Sequence, residues 1–109
     1  MSKFEAVVLY SPDLSTSILS KQEELFKKQL TDSDGNIISE ENWGLRDLSY
    51  KIDKYKKAFY KFYQIEINGN NLPNISKTLN QNEQVIRHLF VKVEEHEQLP
   101  TKMVNTENA

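Results

Sequence analysis

Seven aromatic rings and six cationic side chains crowd the stretch ENWGLRDLSYKIDKYKKAFYKFYQI, Glu41 to Ile65, which also holds the only Trp of the chain. Rings interleaved with cations suit two kinds of chemistry. Ring faces stack on unpaired bases, and guanidinium and ammonium groups meet phosphate oxygens. The same composition also serves a strand pair that packs its rings on its own core and leaves its lysines in water. Both readings are open on composition alone.

Other chemistries find little support. Cys is absent, which removes disulfides, thiolate metal sites and thiol nucleophiles. Three Gly in all leave no phosphate-cradling loop. Glu23-Glu24, Glu40-Glu41 and Glu94-Glu95 are sequence neighbours; on a strand these diverge to opposite faces, and on a helix or in a tail they are solvated. His88 falls in a strand and His96 near the C-terminus, with no ligand spacing around them. A lone strand histidine is more often structural than catalytic, so the expectation is no enzyme, no metal and no cofactor.

The formal net charge of −2 conceals a division. Glu94 to Ala109 holds four Glu and one Lys, while Lys51 to Lys61 holds five Lys and one Asp. A local cationic patch is how a binding surface looks, and also how a solvated hairpin looks.

The elements that position these residues follow from periodicity. Lys3 to Tyr10 is β-rich and ends at Ser11-Pro12-Asp13; its apolar run is too short for a signal peptide. Ser15 to about Asp32 is a helix, with Ile18, Leu19, Leu25, Phe26 and Leu30 expected on one face and an N-cap among Asp13 to Ser17. Gly35 is expected as its left-handed terminator. Asn36 to about Ile52 is a strand with a fault: Trp43 and Leu45 are in one phase, Leu48, Tyr50 and Ile52 in the other. That predicts a β-bulge near Arg46-Asp47, eased by Gly44. Asp53 to Lys57 is the connection and Ala58 to Ile67 the next strand. A short helix follows, with Pro73 in its first turn and Leu72, Ile75 and Leu79 on one face. Val85 to Val93 is the last strand.

The order βαββαβ predicts one α+β domain of ferredoxin-like layout over residues 1–93, a four-stranded antiparallel sheet with two helices on one face. Residues 94–109 have few apolar side chains and are expected to be a disordered acidic tail. The uncovered face should be polar, yet three strands are partly apolar in both phases. That surplus points to a partner. Lys57-Ala58-Phe59-Tyr60-Lys61-Phe62 superficially matches the third strand of the RNA-recognition fold, but Ala58 and Tyr60 stand at its small-residue positions and Lys61-Phe62 replaces Phe-Val.

Several segments together resemble the bacterial small-subunit ribosomal protein six family over about Lys3 to Val93. They are Phe4-Glu5, Ser11-Pro12-Asp13-Leu14, Asn42-Trp43-Gly44-Leu45-Arg46 with Leu48-Ser49-Tyr50-Lys51-Ile52, and Asn82-Glu83-Gln84-Val85-Ile86-Arg87. The family often has Pro where Lys51 stands, and Lys61 reads as making the outward strand face less apolar. The resemblance implies a cytoplasmic structural protein of the ribosome that binds 16S ribosomal RNA as a heterodimer with small-subunit ribosomal protein eighteen. It implies no membrane and no small-molecule substrate. Phosphate contacts are expected from Lys3, Arg46, Lys54, Lys56, Lys57 and Arg87, and protein-partner contacts from Tyr50, Tyr60 and Phe62. The competing reading is a ferredoxin-like regulatory or small-ligand module that dimerises through its open sheet face. A hydrolase of the same layout would need an Arg–Asn pair in the loop after the first strand, and Ser11-Pro12-Asp13 has neither.

Overall fold

The computed structural model describes residues 1–52 and 54–96. Along the chain run β1 (Ser2–Tyr10), α1 (Thr16–Asp32), β2 (Asn36–Ile52), β3 (Tyr55–Ile67), a 3-10 turn at Gly69–Asn71, α2 (Leu72–Gln81) and β4 (Val85–Val93). The four strands form one antiparallel sheet in the order β2-β3-β1-β4. This is the ferredoxin-like α+β arrangement, in which each helix crosses over to seat the next strand.

Strand alternation decides which side chains the helices cover. Phe4, Ala6, Val8 and Tyr10 of β1 share a face with Tyr63, Ile65 and Ile67 of β3, and all are buried against Phe26, Leu30, Ile75 and Leu79 from the two helices. The Phe26 ring lies 4.9 Å from that of Tyr63. Ser15 caps α1, its hydroxyl accepting from the Ile18 amide. Only part of the expected apolar stripe turns inward. Phe26 and Leu30 are buried and Leu19 packs against the core, whereas Ile18 and Leu25 are 44% and 58% exposed. Each is one residue, about 100° of rotation, away from the inward row.

The end of α1 corrects the expectation for Gly35. The left-handed residue is Asp34, at φ 62°. The Asp34 amide bonds the Thr31 carbonyl and the Gly35 amide bonds the Leu30 carbonyl, a Schellman closure. Gly35 is required for closeness instead: a Cβ there would stand 2.9 Å from the Leu30 carbonyl oxygen and 3.1 Å from Ile67 Cδ1. Two asparagines then tie the helices together. Asn71 donates to the Ser33 carbonyl at 2.8 Å, and Asn82 donates to the Gln22 side chain at 2.7 Å.

β2 is faulted just beyond the expected place and twice before it. Arg46 and Asp47 pair regularly with Ala58 and Lys57, while the register shifts between Ile37 and Ser39 and again between Asn42 and Gly44. Trp43 is the inserted residue at the second shift, and Gly44 takes a positive φ of 79° there. A third irregularity separates Asp47 from Ile52. The connection is shorter than expected because Tyr55, Lys56 and Lys57 belong to β3.

Lys61 is a second correction. It faces the helices, not the outward surface, and is 6% exposed. Its ammonium lies 3.4 Å from a Glu23 carboxylate oxygen on α1 and 3.5 Å from one of Glu40 on β2. Lys27 reaches the same Glu40 at 2.6 Å. Nearby, the buried hydroxyls of Tyr10 and Tyr63 interact with each other and have no other hydrogen-bond partner among the described residues. Burial is the main cause that pushes both phenols above their ordinary range, and the charge of Glu23 adds to it.

Candidate functional site

The open face of the sheet can be written as rows running from β2 to β4. One row is Gly44, Tyr60, Leu9, Arg87; the next is Glu41, Phe62, Val7, Leu89. Then come Ser39, Gln64, Glu5, Val91, and last Asn36, Glu66, Lys3, Val93. Beyond the first row Arg46 opposes Ala58, where β1 has ended and only the β2–β3 arm continues. Apolar side chains occupy the middle of this face although no helix among the described residues covers it. Leu89 and Val91 are 57% and 44% exposed.

The bulge at Trp43 organises the β2 side. The indole stacks on the Phe62 ring with centroids 4.9 Å apart and an interplanar angle of 11°. Its Nε1–H donates to Glu41 at 3.0 Å, and the Trp43 carbonyl accepts from Arg46 Nε at 2.9 Å. The extra residue therefore lays a flat ring on the sheet and holds Arg46 beside it. Trp43 and Phe62 shield each other, leaving Phe62 with 4% of its surface. Tyr60 is half-buried, and the Tyr50 side chain lies outside the described residues.

Five of the six expected phosphate contacts gather at one end. Arg46 and Arg87 lie on the open face, and Lys54, Lys56 and Lys57 are exposed along the arm. Lys57 lies 3.7 Å from Asp47, a solvated pair worth about 0–1 kcal/mol. Lys54 sits 5.6 Å from the Tyr55 ring centroid. Glu5 opposes Gln64 and Val91, two rows from that of Arg87, so the two do not face each other. Lys3 belongs to the far end of β1, about 24 Å from Tyr10 at 3.4 Å per residue. It lies among Glu5, Glu66 and Glu95, with its ammonium 3.4 Å from the Glu95 carboxylate.

Sequence reasoning missed how the chain leaves β4. Lys3 is in the open-face phase, so Glu95 lies on that face, and His96 follows it there. The His96 Nε2 is 3.2 Å from the Phe4 carbonyl and 3.1 Å from that of Ile65. Carbonyls only accept, so this nitrogen carries the proton. Residues 97–109, most of the expected tail, lie outside the described residues. The exposure of Leu89 and Val91, by contrast, had a signal in the second apolar phase of β4.

Among the described residues no group of His, Asp and Glu could hold a metal ion, and no helix is long and apolar enough to cross a membrane. His88 opposes Val8 on the helix-covered face and meets the Phe90 ring at 5.7 Å; burial lowers its pKa. These surroundings suit a packing role.

The fold and this face define a ferredoxin-like module whose sheet is partly apolar on its uncovered side and cationic at one end. The family model of ribosomal protein S6 matches residues 3–92. The chain is 32% identical over 108 residues to small ribosomal subunit protein bS6 of Rickettsia felis, covering 99% of this chain and 89% of that one. It is 36% identical over 104 residues to bS6 of Brucella canis, covering 95% and 70%. The fold is similar to that of 30S ribosomal protein S6 from Thermotoga maritima, with a TM-score of 0.80 and 20% identity over 84% of this chain and 87% of that one. A weaker likeness, TM-score 0.56 at 11% identity, joins 92% of this chain to 95% of the C-terminal domain of MgtC from Mycobacterium tuberculosis, which shows how widely the layout is shared. The chain belongs to the ribosomal protein S6 family. That is a family of structural proteins of the small ribosomal subunit, not a known family of enzymes, and it places the chain in the ribosome, in the cytoplasm.

Proposed function

We propose that this protein binds 16S ribosomal RNA together with small-subunit ribosomal protein eighteen, using two parts of one surface. The apolar middle of the open face, with Val7, Tyr60, Leu89 and Val91, takes the protein partner. The arm and the neighbouring Arg46 and Arg87 take phosphates. The observation that carries this reading is an uncovered sheet face that is apolar at its centre and cationic at one end. Arginine suits phosphate because its fork engages two oxygens at once. Lys3, distant and beside Glu95, has the least support. The net charge of −2 is no obstacle, since the partner can supply part of the positive field.

The test uses the purified heterodimer and an RNA fragment of the central domain. Replacing Lys54, Lys56 and Lys57 together by Ala should weaken RNA binding. It should also flatten the log-log salt dependence, by about 0.9 for each duplex phosphate no longer neutralised and about 0.7 for each single-stranded one. Heterodimer formation should survive. Unchanged affinity and salt slope would remove the arm from the RNA site. Failure of the heterodimer to form, with RNA binding intact, would assign the lysines to the protein partner.

A further inference from the structure

β2 is an edge strand, and its pairing with β3 is broken three times. Between the first two breaks lies an island of four pairs: Ser39–Gln64, Glu40–Tyr63, Glu41–Phe62 and Asn42–Lys61. Backbone hydrogen bonds alone do not choose a register, because a one-residue slip makes as many of them. Something else must hold this island where it is.

We infer that the chain of charges Lys27–Glu40–Lys61–Glu23 is a register lock for β2. Glu40 is the only ionisable side chain that β2 contributes to the island on the helix-covered face. Two elements converge on it: α1 through Lys27 at 2.6 Å and β3 through Lys61 at 3.5 Å, and Lys61 in turn meets Glu23 of α1 at 3.4 Å. The Lys61 side chain is 8% exposed, with its ammonium 5.9 Å from the Tyr63 ring centroid. Its position leaves it dependent on these carboxylates.

A slip in one direction puts Ser39 in place of Glu40, removing one carboxylate from Lys61 and, among the described residues, the only one from Lys27. A slip in the other brings in Glu41, which must then leave Trp43 Nε1. Either slip turns the island's side chains to the opposite face. Buried ion pairs add little net stability compared with well-packed apolar groups, and fixing register is their best-attested use. The lock would set which β2 residues reach the open face, Trp43 and Arg46 included. It is a property of the fold and stands whether or not that face meets RNA.

The experiment is Lys61→Met in the full chain, followed by thermal melting and by amide NMR with hydrogen exchange. The expected result is a folded protein melting within a few degrees of the parent. The amides of Ile38 to Arg46 should double or broaden, and those of Ser39 to Asn42 should exchange roughly tenfold faster, while β1 and β4 stay unchanged. A single sharp set of resonances with parental exchange in β2 would overturn the inference. So would a uniform loss of stability without local doubling, which would make the cluster a stability element only. Should Lys61→Met fail to fold, Glu40→Gln decides. It keeps shape and leaves Lys61 paired with Glu23, and it must show the same local doubling; a single register there would overturn the lock.

Discussion

The Phe62 side chain lies flat beneath the Trp43 indole and is almost fully buried on a face with no helix over it. Its removal would leave a hole that the sheet backbone cannot close. Phe62→Ala should cost about 3–5 kcal/mol in urea denaturation. The freed indole should also shift its emission, a clean signal because Trp43 is the only Trp. A loss under about 1 kcal/mol would mean that the stack is not structural. Gly35 is equally constrained: a Cβ would collide with the Leu30 carbonyl, which the Schellman closure holds in place. Gly35→Ala should destabilise by about 1–3 kcal/mol, measurable in the same titration. Two groups make stability depend on pH in the same sense. Burial holds the His88 pKa below its ordinary value, so the unfolded chain takes up its proton first. Its contribution is full above about pH 6.5 and is lost as pH falls through the folded value. Burial alone would raise the Glu40 carboxyl, but Lys27 and Lys61 outweigh that and lower it, so its contribution fades at more acid pH. Urea midpoints should therefore fall in two stages on acidification. His88→Gln should remove the upper stage only, and an unchanged upper stage would show that another group causes it.

The elements differ in how much of them can be read from residues in order. β1, α1 and β4 were legible because each has one period and a clear stop: Ser11-Pro12-Asp13, the Ser15 cap, and the polar break before Val85. Alternation also announced a fault in β2. The change of phase between Leu45 and Leu48 points to the irregularity that begins after Asp47, but nothing in it announces the two earlier shifts. The second of these falls at Trp43, where a stacking partner on β3 and a positive-φ glycine coincide. Lys61 was misread for a related reason. A lysine in an alternating strand reads as solvated, and the carboxylates that permit its burial come from distant segments. The existence of an open face, its apolar surplus and the cationic arm were visible in advance; which phase of the strands lies on that face was not, nor was Trp43 as organiser of the β2 side. On α1, Ile18 and Leu25 illustrate the limit of a helical stripe, since both fall just outside the inward row. Replacing them together by Thr and Gln should change stability by no more than about 1 kcal/mol, whereas Leu30→Ala alone should cost about 2–5 kcal/mol. Equal effects in the two variants would show that the outer row is packed.

At the scale of the whole molecule, the helix layer covers one side of the sheet, and the other side is the face proposed above to meet RNA and protein. The helix layer encloses the core, and its exposed side chains, such as Lys77 on α2, lie away from the sheet's open face. The open face is also where the chain goes after its last strand, because Glu95 and His96 turn back over β1 and β3. This has a practical side for anyone who tethers the protein to a sensor. An affinity handle fused after Ala109 follows a chain last held at Lys3, Phe4 and Ile65, on strands of the proposed binding face, so a chip loaded that way should give the smaller binding signal. The chain has no Cys. A single Cys in place of Lys77 therefore offers an unambiguous coupling point at the back, and the orientation it imposes should give the larger binding signal per immobilised molecule.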